Sequence, residues 1–394
     1  MLRKRYISLL PTEGMTVKEQ LNSCLVDLKK IIDIKNGHKS NILKQSLFLR
    51  ASDNENFLAT IKEISPLLAN FYGSSLPPIS YLGQPPENNK HVALELTVIN
   101  SPAEDLEIKW SSLGNIRYSV VKIGDFKEIY AAGLTDYNLS LKTGDLAKKA
   151  FGQMKRVLDR EGMTYSDIVR QWNYIEDIVG TVTDSGSTRQ NYQEFNDVRS
   201  KYYQTADFKN GYPSATGIGM NTGGVVIEFI AVSPNKGITI LPLSNPRQVD
   251  AHEYSEKVLV GDFLENSTQK TSPKFERAKL VSFPYGSLIY ISGTAAILRQ
   301  ATIKDNNVES QTQTTIDNIL ALVSRENIKN SGFREDIPVS SPSFIRVYVK
   351  EESKISVVKN ICESNFGHIP SLYLVSDICR KDLLVEIEGI LDLS

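Results

Sequence analysis

The run Asp377-Ile-Cys-Arg-Lys-Asp-Leu-Leu-Val-Glu-Ile-Glu-Gly389 sets carboxylates inside an apolar, strand-like segment. Side chains alternate between the faces of a strand, so Leu384, Glu386 and Glu388 share one face while Leu383, Val385 and Ile387 share the other. Glu386 thus stands where a strand normally places Val or Ile. If that face is buried, lost solvation disfavours the ionised carboxylate, and the group becomes a neutral general acid near pH 7. If the strand lies at an edge, both glutamates face water, the commoner fate of a carboxylate.

The elements that would position this strand recur along the chain. Ile129-Tyr-Ala-Ala-Gly133 is echoed by Ile289-Tyr-Ile-Ser-Gly293, each a strand ending in a glycine that permits close approach by a ligand or backbone. After each comes a polar loop, then a helix (Asp145 to Arg160; Val308 to Arg325), then a strand with arginine near its start (Arg170; Arg346). The order predicts two tandem α+β units with mixed sheets and helices on one face, one over residues 1–210 and one over 211–394. The boundary falls at Tyr212-Pro-Ser-Ala-Thr-Gly-Ile-Gly219, just after a helical pattern carried by Tyr192, Phe195, Val198 and Tyr202.

Upstream, Thr16-Val-Lys-Glu19 reads as a capping box opening a helix. Asn54 to Tyr72 reads as a second helix that Pro66 should end or kink. Residues 74–89, with four prolines, read as a loop, followed by strands from His91 onward. Lys257 to Pro273 and Glu326 to Ser343 read as surface insertions without a catalytic pattern.

Composition excludes several classes. Forty-five basic residues against 46 acidic ones leave a net charge of −1, so no basic footprint predicts nucleic acid, and small neutral or anionic ligands stay open. Cys24, Cys362 and Cys379 have no C-x-x-C spacing, which predicts neither zinc nor disulfides and points to a reducing, cytoplasmic setting. No apolar run of about 18 residues predicts a membrane span. His38, His91, His252 and His368 are scattered and show no metal or triad spacing.

Ile291-Ser-Gly-Thr294, Glu309-Ser-Gln-Thr-Gln-Thr-Thr-Ile-Asp-Asn318 and Val385-Glu-Ile-Glu388 resemble the Rid/YjgF family (a chorismate mutase-like fold). That resemblance implies imine or enamine deamination, but no arginine lies between Pro370 and Cys379 to hold the deaminase substrate. A longer set of segments resembles the chorismatases, two-domain enzymes whose halves both look like Rid/YjgF units. They are Arg170-Gln-Trp-Asn-Tyr-Ile-Glu-Asp-Ile178, Tyr192-Gln-Glu-Phe-Asn-Asp-Val-Arg199, Ala215-Thr-Gly-Ile-Gly219, Asn245-Pro-Arg-Gln-Val249, Phe275-Glu-Arg-Ala278 and Asp377-Ile-Cys-Arg380 through Gly389.

The chorismatase resemblance implies cleavage of chorismate with loss of its enolpyruvyl group as pyruvate, without a cofactor. Glu386 matches the family's catalytic acid. Two substrate carboxylates call for guanidinium groups, because a planar fork matches a carboxylate bidentately; Arg199 and Arg346 are the candidates, with Tyr254, Arg247 and Gln248 as further ligands. Glycine at 293 and cysteine at 379 resemble the 3-hydroxybenzoate-forming members, whereas members that hydrolyse chorismate to a diol tend to carry alanine at the glycine position. The family's Gly-His-Glu sequence is replaced here by Leu298-Arg299-Gln300-Ala301. A cleft between the two halves is expected, closed by the Asn191 to Ala206 region. Assembly is open between a monomer and a homotrimer. A Rid-like deaminase and a non-catalytic small-ligand-binding relative are the alternatives.

Overall fold

Thr16 and Glu19 form the reciprocal cap that the sequence predicts: the Glu19 amide donates to Thr16 Oγ1 at 3.2 Å, and the Thr16 amide to Glu19 Oε2 at 3.0 Å. Helix α1 (Val17–Ile34) follows. The computed structural model describes residues 3–34, 41–100, 106–184, 187–233, 235–260, 262, 270–334 and 342–393.

Three related units emerge rather than two. The first contains β1 (Arg3–Leu9), α1, β2 (Ile42–Leu49), α2 (Asn54–Tyr72), β3 (Ile79–Leu82) and β4 (Val92–Asn100), in sheet order β1-β4-β2-β3. The second contains β5 (Leu106–Leu113), β6 (Ile116–Ile123), β7 (Phe126–Leu134), α3 (Thr143–Arg160), β8 (Ile168–Glu176), a hairpin β9 (Thr181–Asp184) and β10 (Ser187–Gln190), α4 (Asn191–Tyr203), β11 (Ser214–Met220) and β12 (Val225–Val232). Its sheet order is β11-β8-β12-β7-β6-β5.

The third unit contains β13 (Thr239–Leu243), β14 (Ala278–Phe283), β15 (Gly286–Ala295), a hairpin β16 (Ile297–Leu298) and β17 (Ala301–Thr302), α5 (Val308–Leu322), α6 (Arg325–Asn330), β18 (Phe344–Val349), α7 (Ile355–Phe366), β19 (Ser371–Val375) and β20 (Val385–Asp392). Its order β13-β14-β15-β20-β18-β19 repeats that of the second unit strand for strand. The first unit repeats the last four strands only.

The sequence-based division therefore needs correction. The chain leaves the second sheet between Val232 and Thr239, whereas the expected boundary at residues 210–219 lies on β11, which pairs parallel with β8. The first unit escaped notice because its β1 carries Tyr6 in register with Thr97, as Tyr130 and Tyr290 sit opposite Ile230 and Ile390, but lacks the closing glycine. Strand β3 was hidden among prolines. Helix α2 runs through Pro66 to Tyr72; Pro66 and Lys62 are both exposed, so the carbonyl orphaned by the proline meets water. The helix expected to reach Arg325 stops at Leu322, and Ser324 caps a new one.

Helices cover one face of each sheet and give each unit its own core: Leu25, Leu47 and Leu94 in the first, Phe151, Phe195 and Ile227 in the second, Ile316, Val347 and Ile387 in the third. The other faces meet in a shared core that takes Phe48, Trp172, Tyr130, Tyr290 and Tyr348 from all three. Both faces are thus buried, which explains why β2 and β12 lack the polar alternation of a solvated strand. Among the described residues no helix is long and apolar enough to cross a membrane.

Inside the shared core the last strand of each unit offers one glutamate: Glu95, Glu228 and Glu388. Each is held by a cation from another unit. Arg346 binds Glu95 through Nε (2.8 Å) and NH2 (2.5 Å), Lys44 reaches Glu228 at 2.5 Å, and Arg170 reaches Glu388 at 2.5 Å. Arg346 also lies 2.7 Å from Glu388 and hydrogen-bonds the hydroxyls of Tyr174 and Tyr348. This corrects the expectation for Arg346. Its face of β18 does carry Tyr348, but that face points into the three-unit core, and the guanidinium is spent on carboxylates of the protein itself.

Candidate active site

Glu386 and Glu388 lie on the same face of β20, as alternation requires, and both are buried, at 4% and 2% exposure. Their surroundings separate them. Glu388 receives Arg170, Arg346, the Trp172 indole (3.0 Å) and Thr216, which fix it as a structural anion. Glu386 has no hydrogen bond among the described residues and faces a pocket. Burial, reinforced by the Glu388 charge, pushes its pKa up to about 8 against the opposing pull of Arg170 and Arg277. The group is therefore mainly protonated at neutral pH, the condition for a general acid.

Gly293 makes room for this carboxyl. The pairing of β15 with β20 slips between Ile291 and Thr294, and the Gly293 amide in the slip donates to Thr216 Oγ1 on β11 at 3.0 Å. A Cβ at position 293 would stand 2.0 Å from Glu386 Oε1 and 3.0 Å from Thr216 Cγ2. Gly293→Ala is therefore expected to swing the carboxyl out of position, lowering kcat at least about tenfold, a loss of the order seen when a catalytic group is displaced by an ångström. The melting temperature should change little, because the atom in conflict ends a flexible side chain; kcat and thermal unfolding of the variant check both halves.

The pocket opens between the second and third units as a narrow cleft, with about 60 Å³ of room for the centres of water-sized molecules. Ala215 and Gly217 of β11 form its floor beside Gly293 and Ala295 of β15. Gln190, Tyr192, Gln193 and Asn196 close it from the start of α4, the region from which closure is expected. Tyr254, Phe275, Arg277, Cys379 and Arg380 complete the polar and aromatic wall. Val258, Leu259 and Val260 also line it, so part of the Lys257 to Pro273 insertion is pocket wall rather than a mere surface loop.

Arg277 and Arg380, neither of them among the expected ligands, are the cations of this pocket. Arg277 is 3% exposed; its NH2 donates to the Val249 carbonyl and to Tyr254 Oη (2.7 Å), and its buried Nε has no partner. Arg380 donates to the Gln300 carbonyl at 2.9 Å and its guanidinium lies 5.3 Å from the Tyr254 ring centre. Neither pairs with a carboxylate among the described residues. The tight turn at Arg299 (φ 55°) presents that Gln300 carbonyl, and Gln300 Oε1 accepts from the Ser255 amide at 3.1 Å. The segment replacing the family's Gly-His-Glu thus braces the pocket wall.

Of the residues picked from sequence, Glu386, Gly293, Tyr254 and Cys379 line the pocket. Burial and the neighbouring Glu386 push the Cys379 thiol up to about 12, so it is a neutral, compact wall group rather than a nucleophile. Arg199 sits one layer behind: its NH2 donates to Asn196 Oδ1, its guanidinium approaches the Phe275 ring at 6.0 Å, and its Nε is buried without a partner. Arg346 belongs to the core. Arg247 pairs with Asp317 at 3.4 Å, and Gln248 donates to the carbonyl of the lining residue Ile297 at 2.9 Å; neither Arg247 nor Gln248 itself lines the pocket. Arg277 and Arg380 stood in the segments Phe275 to Ala278 and Asp377 to Arg380; their position flanking a strand end was the available signal.

Comparison with known proteins agrees with this geometry. Residues 99–231 match the family model "Chorismatase FkbO/Hyg5-like, N-terminal". A 3-hydroxybenzoate synthase of Streptomyces hygroscopicus is 28% identical over 252 residues, 62% of this chain and 69% of that protein. A chorismatase of Streptomyces rapamycinicus is 28% identical over 230 residues, 57% of this chain and 64% of that protein. The alignments thus span about two thirds of the length of these relatives. A chorismatase crystal structure superposes with a TM-score of 0.66 at 20% identity, covering 99% of this chain and 98% of that one, which establishes the shared α+β fold. The chain is thus similar to the chorismatases in sequence over these stretches and in fold along its whole length.

Proposed function

We propose that this protein cleaves the enolpyruvyl ether of chorismate, releasing pyruvate and 3-hydroxybenzoate, with Glu386 as the general acid. The carrying observation is a buried carboxyl facing a pocket whose two arginines pair with no carboxylate among the described residues; burial raises its pKa to about 8 and so favours the neutral form. Chorismate is a dianion, and Arg277 and Arg380 supply complementary charge for its carboxylates, with Arg199 behind them. The names borne by the related Streptomyces proteins support the same chemistry.

Glu386 gives its proton to the methylene carbon of the enol ether, leaving cationic character at the ether carbon. Attack of water there makes a hemiketal, which collapses to pyruvate as the bond between that carbon and the ether oxygen breaks, the oxygen staying on the ring as a hydroxyl. In forming 3-hydroxybenzoate the ring loses the elements of water that pyruvate formation takes up, so no net water is consumed. No electron acceptor and no cofactor enters. The carboxylate left on Glu386 is stabilised by the nearby Arg277 and Arg170 charges, which already pull on its pKa.

Gly293 and Cys379 keep the wall beside Glu386 compact, which supports the aromatic product. Purified protein mixed with chorismate should release pyruvate, read by a coupled lactate dehydrogenase, and mass analysis should show 3-hydroxybenzoate; a diol as the main product would overturn the product assignment, and absence of pyruvate the reaction itself. Arg277→Gln removes one charge-assisted contact, worth roughly 1.5–3 kcal/mol. It should lower kcat/KM by about 10- to 100-fold, chiefly through KM, with the same product; an unchanged KM removes Arg277 from substrate binding. Because one chain carries all three units around the shared core, we also propose a monomer. The free thiols of Cys24, Cys362 and Cys379 fit a reducing, cytoplasmic setting.

A further inference from the structure

Behind the Tyr254 and Arg277 wall, outside the pocket lining, the fold assembles three groups that the sequence leaves far apart. Asp250 and His252 lie at a short turn around Ala251–Glu253, and Glu276 lies just before β14. One ligand atom from each falls within 4.8 Å of the others. The bonding of these groups inside the protein is incomplete. His252 Nδ1 and Asp250 Oδ1 are buried and have no hydrogen-bond partner. Glu276 is 5% exposed; the buried Lys279 acts on it electrostatically but spends its hydrogen bond on the Asn210 carbonyl and forms no ion pair with it among the described residues, and the carboxylate accepts only from the Tyr212 amide, at 2.8 Å. Asp250 uses its other oxygen on Ser244 (2.7 Å).

Buried charges are ordinarily paired or bound to metal, and a buried imidazole nitrogen without a partner is costly. Here two carboxylate oxygens and a ring nitrogen share one spot, and among the described residues no cation is bonded to all three; Lys279 acts on Glu276 alone. We propose that Asp250, His252 and Glu276 form a binding site for a borderline divalent cation of the Zn²⁺ class. One nitrogen and two oxygens match the donor preference of Zn²⁺, Co²⁺ and Mn²⁺ rather than of Cu(I) or an iron–sulfur cluster. An ion at the centre of three atoms so spaced stands within roughly 2.8 Å of each, and small side-chain rotations bring the contacts to the ~2.0–2.2 Å of Zn–N and Zn–O bonds. The groove lined by Tyr212, His252, Ser255 and Lys274 gives the ion a path from solvent.

The site is a clamp, not part of the reaction. It joins the turn that leads into Tyr254 to the residue preceding Arg277, and those two side chains are already hydrogen-bonded to each other at 2.7 Å. A bound ion therefore fixes the pocket wall from behind. Scattered histidines concealed it, because an Asp-x-His pair needs its third ligand from the far side of an insertion.

The inference stands apart from the proposed reaction and is tested without it. The full-length protein, freed of metal with a chelator, is titrated with Zn²⁺ against a chromophoric competitor and with Co²⁺ by visible absorption. We expect one equivalent bound, a Kd at least 10-fold weaker in His252→Ala and in Asp250→Asn, an unchanged Kd in His368→Ala, and a melting temperature that Zn²⁺ raises in the native protein but not in His252→Ala. Binding of no equivalent at 100 µM metal, or equal binding by native and His252→Ala proteins, overturns the site. Should the variants fail to fold, the Co²⁺ spectrum of the native protein decides: d–d bands of a nitrogen- and oxygen-ligated ion support it, and their absence refutes it.

Discussion

Glu386→Gln should lose about 10²- to 10⁴-fold in kcat, the usual contribution of a positioned proton donor, while folding normally. The amide has the shape of the protonated carboxyl, and the native group is already held neutral by burial, so little stability is at stake. What vanishes is the acidic proton. The pH profile supplies a second, sharper readout. With a pKa near 8, the native enzyme carries its proton below that value and loses it above, so kcat/KM should be flat from about pH 6 to 7.5 and then fall tenfold per unit on the alkaline side. The limb should be absent from whatever residual activity the variant keeps. Pyruvate release within about threefold of native, or a profile with an acid limb near 4.5 and no alkaline one, would remove Glu386 from the acid role.

Arg346→Met should cost about 3–5 kcal/mol of stability, because deleting one partner of a buried pair strands the other as an uncompensated charge. The stranded group is Glu95, whose two side-chain hydrogen bonds among the described residues are both with this guanidinium; Glu388 keeps Arg170. The Arg346→Met, Glu95→Leu double variant should recover most of that loss, since a well-packed apolar pair can replace a buried ion pair at little cost. Chemical denaturation of the two variants measures both effects. A sequence reading that sends Arg346 to the substrate expects the reverse, a raised KM with unchanged stability, so one pair of measurements separates the two assignments.

Local rules read from the sequence carried a good deal. The cap at Thr16 and Glu19, the span of α2, the sharing of a β20 face by Glu386 and Glu388, and the Ile-Tyr-x-x-Gly repeat depend on neighbours a few residues apart, and each appears as expected. Alternation on that strand likewise set Glu386 and Glu388 on one face, while leaving open whether the face is buried or meets water. What alternation could not reveal was which of two glutamates on that face would stay neutral, because the difference lies in Arg170, Arg346, Trp172 and Thr216, brought from other strands and another unit.

The cations were assigned by the tertiary structure for a related reason. Arg346 sits on a regular strand and looked available, yet a strand buried on both faces directs it to Glu95, 251 positions away in sequence. Arg277 and Arg380 lie in irregular segments without periodicity, and only the packing of the second unit against the third turns them toward Glu386. The sequence by itself determined the repeating α+β units, the strand that bears Glu386 and Glu388, and the face these two share. Folding decided that there are three such units around one core, which charges neutralise each other there, and which are left facing the pocket, because those outcomes depend on long-range contacts that no local pattern encodes.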